Sequence, residues 1–314
     1  MVQTPEQTGP GAVRLLPFRR HPISTATRAS LGRGIAITIF AWSIFPALDA
    51  ISKFLAGGYD VFFVLWGRFT AQFLVGVLIV LPRGLPRTAR TPFLGQQLLR
   101  SGGFTAHTVI FILGILTLPL AEGSALLFTG PIMLAALSVP LLKERVDGPT
   151  WIAVLVGFAG AMVVTRPGFD FANWGALLVL LSTLCLVLYQ IATRSLAQRE
   201  SPYTTLLYTP LVGAVALGLP LPWTWSTPSL HDAALMALMG LVGAVGHFML
   251  IKAYENAGAA QLAPYSYIHI LSSALLGYAV FGDVPDPWAV AGAAIIAASG
   301  LWLAWREGVT RRRA

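Results

Sequence analysis

Along this chain the apolar positions do not alternate with polar ones. They run in solid stretches of 17 to 23 residues, interrupted by Pro, Gly or charge. Five stretches lie at Ile35–Ala56, Val61–Leu81, Leu98–Leu118, Glu122–Leu142 and Pro149–Thr165, and five more at Trp174–Thr193, Tyr203–Leu219, Ala233–Ala253, Ala259–Phe281 and Trp288–Trp305. At 1.5 Å of rise per residue, each is close to the length that crosses a hydrocarbon core about 30 Å thick. The pattern predicts an all-α integral membrane protein with ten transmembrane helices. It excludes a transmembrane barrel, whose strands alternate with period two. Residues 1–33, rich in Pro, Thr and Arg and without an apolar core, read as a disordered cytoplasmic tail and not as a cleavable signal peptide. Residues 306–314 read as a basic cytoplasmic tail.

Composition excludes the soluble alternative. Of 314 residues 56% are hydrophobic and only 11% charged, where soluble domains carry about 25%, and the mean hydropathy is +0.72. A net charge of +8 would suggest nucleic acid in a soluble chain; in a membrane chain it marks the cytoplasmic face, so no nucleic-acid partner is expected. With the N-terminus inside, the two tails and the alternate connections hold eighteen of the 21 basic residues on one side, including Arg83, Arg87, Arg90 and Arg100 between the second and third stretches. Only Lys53, Arg68 and Arg166 fall elsewhere. This bias predicts a multi-pass protein of the cell inner membrane with both termini cytoplasmic. Cys185 is the single cysteine, so neither a disulfide nor a cysteine metal site is available.

The two halves align at an offset near 140 residues. Asp49 and Lys53 fall on Gln190 and Arg194, Ser52 on Thr193, Gly103 and His107 on Gly243 and His247, Glu144 on Asp283, and Gly160 on Gly300. Residues 34–165 and 174–305 are therefore expected to form two five-helix repeats. An odd number of crossings per repeat inverts the second copy, the arrangement secondary transporters use for alternating access around a central cavity.

The segments ALLFTGPIMLAALSVPLLKERVDGPTWIAVLVGFAGAMVV (125–164) and LAPYSYIHILSSALLGYAVFGDVPDPWAVAGAAIIAASG (262–300) carry a further signal. In each, a helix rich in small residues with an aromatic or Pro centre ends in an acid, Glu144 or Asp283, followed by a tight turn and a glycine-containing helix. The chain here resembles the EamA branch of the drug/metabolite transporter superfamily, over nearly all of residues 34–305. The resemblance implies a ten-helix bundle whose cavity is lined mainly by the first four helices of each repeat. It leaves the substrate open, since the family includes amino-acid and drug exporters, riboflavin and S-adenosylmethionine importers, and metallophore exporters.

Charge inside hydrocarbon is costly, so each intramembrane polar residue is a site candidate. Counted along their helices, Asp49 and Arg68 reach similar depth, and Asp49 is placed to meet both Arg68 and Lys53 four residues on. The three form either a structural ion cluster or a gate and clamp for a substrate's carboxylate and amine. His107 and His247 occupy matching repeat positions near the midplane, each one turn after a glycine, and His269 follows one turn beyond Tyr265. An imidazole can hydrogen-bond a substrate or carry a coupling proton. Three histidines without metal-ligand spacing or a nearby carboxylate do not predict a metal. Trp42, Trp66, Tyr189, Tyr265 and Tyr267 lie at cavity depth and could stack a planar group or face an ammonium, and Gln190 completes the candidate substrate-binding set. Trp174, Trp223, Trp225, Trp288, Trp302 and Trp305 read as an interfacial belt.

No phosphate loop, dinucleotide fingerprint, zinc-peptidase motif or nucleophile elbow occurs. No cofactor and no enzymatic activity is expected, and the energy source is a gradient, with protons as a candidate coupling ion. Few basic residues appear within helices, which disfavours a polyanion. The sequence therefore predicts a secondary transporter of a small organic metabolite, acting as a monomer or homodimer, with export of amino acids or related zwitterions as the first reading. Import of a heteroaromatic compound such as riboflavin or S-adenosylmethionine is the alternative. An integral-membrane enzyme on lipid-linked substrates is the alternative of another class, and it would need clustered carboxylates or a His/Asp constellation at one face.

Overall fold

The computed structural model describes residues 28–130, 133, 137, 148–165, 174–197, 199–256 and 262–313, and among them every regular element is helical. Outside the described residues lie most of the N-terminal tail, ten of the 21 residues of the fourth apolar stretch, Pro131 among them, the following Lys143, Glu144 and Arg145, and Arg166. The principal helices are α1 (Arg28–Leu55), α2 (Val61–Val80), α3 (Leu94–Ile115), α4 (Leu120–Leu127), α5 (Gly148–Thr165), α6 (Trp174–Ala197), α7 (Pro202–Ala216), α8 (Leu230–Asn256), α9 (Ile268–Leu276) and α10 (Pro287–Arg313). Five of them, through the segments Leu31–Leu55, Val61–Arg83, Leu94–Ile115, Trp174–Thr193 and Leu230–Ala253, are long and apolar enough to cross a membrane.

Local chemistry sets the helix starts. The Asp60 carboxylate accepts from the Phe62 and Phe63 amides at 2.8 and 3.4 Å, capping α2. Asp286 does the same for α10 through Trp288 and Ala289, and Ser201 precedes Pro202 at the first turn of α7. The ninth stretch, expected as one helix, is three pieces. Ala263–Tyr267 is a 3₁₀ turn with proline at its start, α9 follows, and Gly277–Phe281 widens into a π-turn. Gly282 closes it with φ +69°, its amide bonding Tyr278 O while the Asp283 amide bonds Gly277 O. That closure needs a left-handed residue, which glycine supplies without a Cβ penalty.

In the bundle α1 packs on α8 and α9, α2 on α7 and α8, α3 on α6 and α7, α4 on α6 and α9, and α5 on α10. Close approach is built in at Gly240 of α8, where a Cβ would lie 2.6 Å from the Gln72 amide nitrogen on α2. The six belt tryptophans are all exposed, as residues facing lipid and the interface should be.

Side-chain bonds tie the helix ends into two sets. At one end the Tyr59 hydroxyl donates to Asp232 at 2.7 Å, and Lys53 Nζ donates to Leu118 O at 2.7 Å while lying 3.6 Å from Asp283. At the other, Thr204 and Tyr208 of α7 donate to the carbonyls of Thr88 and Ala89, both at 2.8 Å, and the Arg83 guanidinium lies 4.1 Å over the Tyr203 ring.

Candidate functional site

Between these ends the helices enclose a cavity of about 70 Å³, lined from α1, α2, α3, α4, α6, α8 and α9. That is room for several waters, each needing about 10–15 Å³. Its charged wall is Asp49 on α1 and Arg68 on α2. Asp49 Oδ1 is 3.7 Å from Arg68 Nη1, and Asp49 Oδ2 is 3.8 Å from His269 Nε2. Both separations exceed hydrogen-bond length. The attraction is real but the hydrogen-bonding capacity is unspent: Arg68 Nε and Nη1 are buried without a partner.

His269 is oriented from behind. Ser124 Oγ donates to Ser273 Oγ at 2.6 Å, and Ser273 Oγ lies 3.2 Å from His269 Nδ1. With its own acceptor role toward Ser124 filled, the Ser273 hydroxyl donates to Nδ1, which leaves Nε2–H turned toward Asp49. The chain Ser124, Ser273, His269, Asp49 is thus a directed polar row through α4, α9 and α1.

The other two histidines are not equivalent. His107 Nδ1 lies 3.0 Å from Ser182 O, and since a carbonyl only accepts, Nδ1 carries the hydrogen and fastens α3 to α6. His247 Nδ1 is buried with no partner. The His247 ring is held by aromatic faces instead, 4.6 Å from Phe104, 5.0 Å from Phe45 and 6.5 Å from Tyr189. Trp42 stands 5.5 Å from Phe45 and 5.7 Å from His269. A planar solute therefore meets ring edges and faces around one carboxylate and one guanidinium. Among the described residues no three His, Cys, Asp or Glu side chains gather as a metal-binding group.

The profile of the EamA-like transporter family matches residues 173–305. The chain carries an EamA transporter domain. It is similar to the S-adenosylmethionine uptake transporter of Rickettsia bellii, 28% identical over 83% of this chain and 89% of the relative. The riboflavin transporter of Rhizobium johnstonii is 32% identical over 63% of this chain and 66% of its own length. The pseudopaline exporter CntI of Pseudomonas aeruginosa is 25% identical over 85% and 94%. The crystal structure of another protein superposes on 89% of this chain and 99% of its own at a TM-score of 0.62 with 22% identity, a likeness of fold. The relatives place the chain among drug/metabolite transporters: it is a multi-pass membrane transporter and not an enzyme.

In this EamA protein the cavity wall includes Trp42, Asp49, Arg68, His107, Tyr189, Gln190, His247 and His269. Four expected members stand elsewhere. Tyr265 is exposed. Tyr267 packs against Phe128, ring centroids 5.0 Å apart and tilted by 36°, and a Cβ on Gly300 would meet its hydroxyl. Both belong to the 3₁₀ turn, which rotates them off the face a continuous α-helix would have given. Lys53 turns away from Asp49 to Leu118 and Asp283, because it sits at the helix end where a carbonyl and a carboxylate are in reach. Trp66, also expected at cavity depth, packs against Phe63 and Trp225. The glycine one turn before each histidine has one role, not two: a Cβ at Gly243 would lie 2.8 Å from Gln72 Oε1, while at Gly103 the nearest neighbour is at 3.9 Å.

Two residues escaped the sequence reading. Gln72, fully buried, has neither side-chain atom bonded. Arg100, which the sequence assigns to the second connection, is buried within α3, so the helices hold one more cation than expected. The available signal was the row Gln97, Arg100, Ser101 facing inward while Leu98 and Leu99 face out.

Proposed function

We propose that this EamA transporter is a gradient-driven transporter of the inner membrane for a small zwitterionic metabolite carrying an aromatic ring. It works by alternating access between two inverted repeats, residues 34–165 and 174–305. One observation carries the substrate class: a buried carboxylate and a buried guanidinium face one cavity at 3.7 Å with unfilled hydrogen-bonding atoms, inside an aromatic wall. A carboxylate on the solute answers Arg68, an ammonium answers Asp49, and the ring packs among Trp42, Phe45, Phe104 and Tyr189. Buried polar groups left unmet call for a partner, and a zwitterion meets both at once. Uptake of a solute of the S-adenosylmethionine kind, the substrate named for the Rickettsia relatives, fits both halves of this wall. It therefore replaces amino-acid export as the first reading.

Helix packing supports the repeat. Exchanging α1–α5 with α6–α10 turns the pair α1/α8 into α6/α3, α2/α8 into α7/α3, and α1/α9 into α6/α4, all of which pack, while α2/α7, α4/α9 and α5/α10 map onto themselves. A two-fold relation gives this pattern. The basic residues of the second connection put that end in the cytoplasm.

Purified protein in liposomes preloaded with unlabelled S-adenosylmethionine should exchange it for the labelled compound, with methionine competing and riboflavin not. Exchange of riboflavin unaffected by S-adenosylmethionine would overturn the zwitterion in favour of a neutral planar solute.

A further inference from the structure

Among the described residues Arg100 has no counterion. Its side chain is 1% exposed on α3. Nε donates to Gln97 Oε1 at 3.2 Å, and Nη2 donates to Thr205 O at 2.8 Å and Thr209 Oγ1 at 3.0 Å on α7. Nη1 has no partner, and among the described residues no carboxylate pairs with the guanidinium. The Tyr189 ring, which lines the cavity, lies 5.4 Å from its Cζ. A charge in hydrocarbon without an opposite charge is costly to keep. Neutral partners orient this one without neutralising it, and the two hydrogens on Nη1 are left over.

Depth gives the residue its meaning. Arg68 is the eighth residue of α2 and Arg100 the seventh of α3, helices that start from opposite ends of the bundle. At 1.5 Å per residue each lies about 10 Å from its own face, so in a core of about 30 Å the two cations stand about 10 Å apart along the normal. Arg68 serves the cavity at one level. Arg100 waits behind Tyr189 nearer the end carrying Arg83 and Tyr208.

We propose that Arg100 is a second station for the substrate's carboxylate, reached when Tyr189 swings aside as one repeat rocks against the other, so that the anionic group passes from Arg68 to Arg100. This rests on the zwitterionic reading above and sharpens it: the carboxylate is an obligatory recognition element on the route. The alternative is a clamp that only ties α3 to α7.

The test is counterflow in proteoliposomes with two probes, S-adenosylmethionine and its decarboxylated form, which keeps the ammonium and sulfonium but lacks the carboxylate. Wild-type protein should prefer the carboxylate-bearing probe by at least about tenfold, and Arg100→Met should erase most of that preference while still carrying the decarboxylated probe. Arg100→Lys keeps the cation without the fork and should retain most of the preference. Thermal unfolding of the ligand-free variants reports on the clamp: Arg100→Met should unfold within a few degrees of wild type. Equal loss of both probes, with both variants unfolding well below wild type, would make Arg100 a clamp and overturn the station. Equal transport of both probes by wild type would overturn it too, leaving the transport reading intact. Wild type carrying neither probe would overturn the zwitterionic reading and the station with it.

Discussion

At the scale of single residues, the Asp49–Arg68 pair is loose enough to separate folding from transport. At 3.7 Å with no hydrogen bond in the pair, it lacks the geometry of a tight buried bridge, whose breakage costs about 3–5 kcal/mol. Asp49→Asn should therefore unfold only slightly earlier. It should nevertheless weaken substrate binding about 10- to 100-fold, the loss of one charge-assisted hydrogen bond. Adding Arg68→Gln should restore thermal stability and not binding; recovery of both in the double variant would make the pair structural. The histidines should part company likewise. His107→Ala removes the bond to Ser182 O and should cost about 0.5–1.5 kcal/mol of stability on that account, whereas His247→Ala breaks no hydrogen bond. Equal stability loss on thermal unfolding would contradict this assignment. Asp49, Arg68 and the histidines were legible because a polar residue stands out in an apolar run. Tyr265 and Tyr267 were not, since an aromatic residue fits lipid, core or cavity alike and only local backbone geometry chooses.

At the scale of helices, run length and polar breaks were enough to locate the five spans Leu31–Leu55, Val61–Arg83, Leu94–Ile115, Trp174–Thr193 and Leu230–Ala253, because lipid demands long apolar segments with internally paired backbones. Two details lay beyond that signal. The first turns of α3 carry polar residues that face α7 while Leu98 and Leu99 face outward, so the helix begins before the apolar run at Leu98, and Arg100, at the edge of that run, reads with the basic residues of the connection. The breaks flanking α9 depend on backbone hydrogen bonds around Gly277 and Gly282 that hydropathy does not register. Glycine packing is the testable counterpart. Gly240→Ala drives a methyl into the Ala71–Gln72 backbone of α2, which cannot yield cheaply, and overpacking of this kind costs about 1–3 kcal/mol. Gly103→Ala finds only ordinary contacts, and the better helix propensity of alanine, about 1 kcal/mol, should stabilise it. Thermal unfolding of the two variants should move in opposite directions, and a Gly103→Ala protein that unfolds earlier would show a crossing tighter than the contacts indicate.

At the scale of the whole molecule, the proposed inverted repeat rests in the sequence on a nearly constant offset between polar residues, yet an offset alone cannot say on which side a loop lies. The structure adds which ends meet. Tyr59 bonds Asp232, so the first connection and the one before α8 share an end; Thr88 and Ala89 bond α7, so the second connection lies at the start of that helix. Between Arg87 and Ser226, both exposed, the proposed topology has five crossings, an odd number. With Cys185→Ser as background, a membrane-impermeant thiol reagent applied to intact spheroplasts should label Ser226→Cys and spare Arg87→Cys until the membrane is permeabilised. Labelling of Arg87→Cys alone would keep the odd count but turn the molecule over, contradicting the reading of its basic residues. Labelling of both would require an even number of crossings between them. That would leave the two halves in the same orientation and remove the symmetry on which alternating access in this bundle depends.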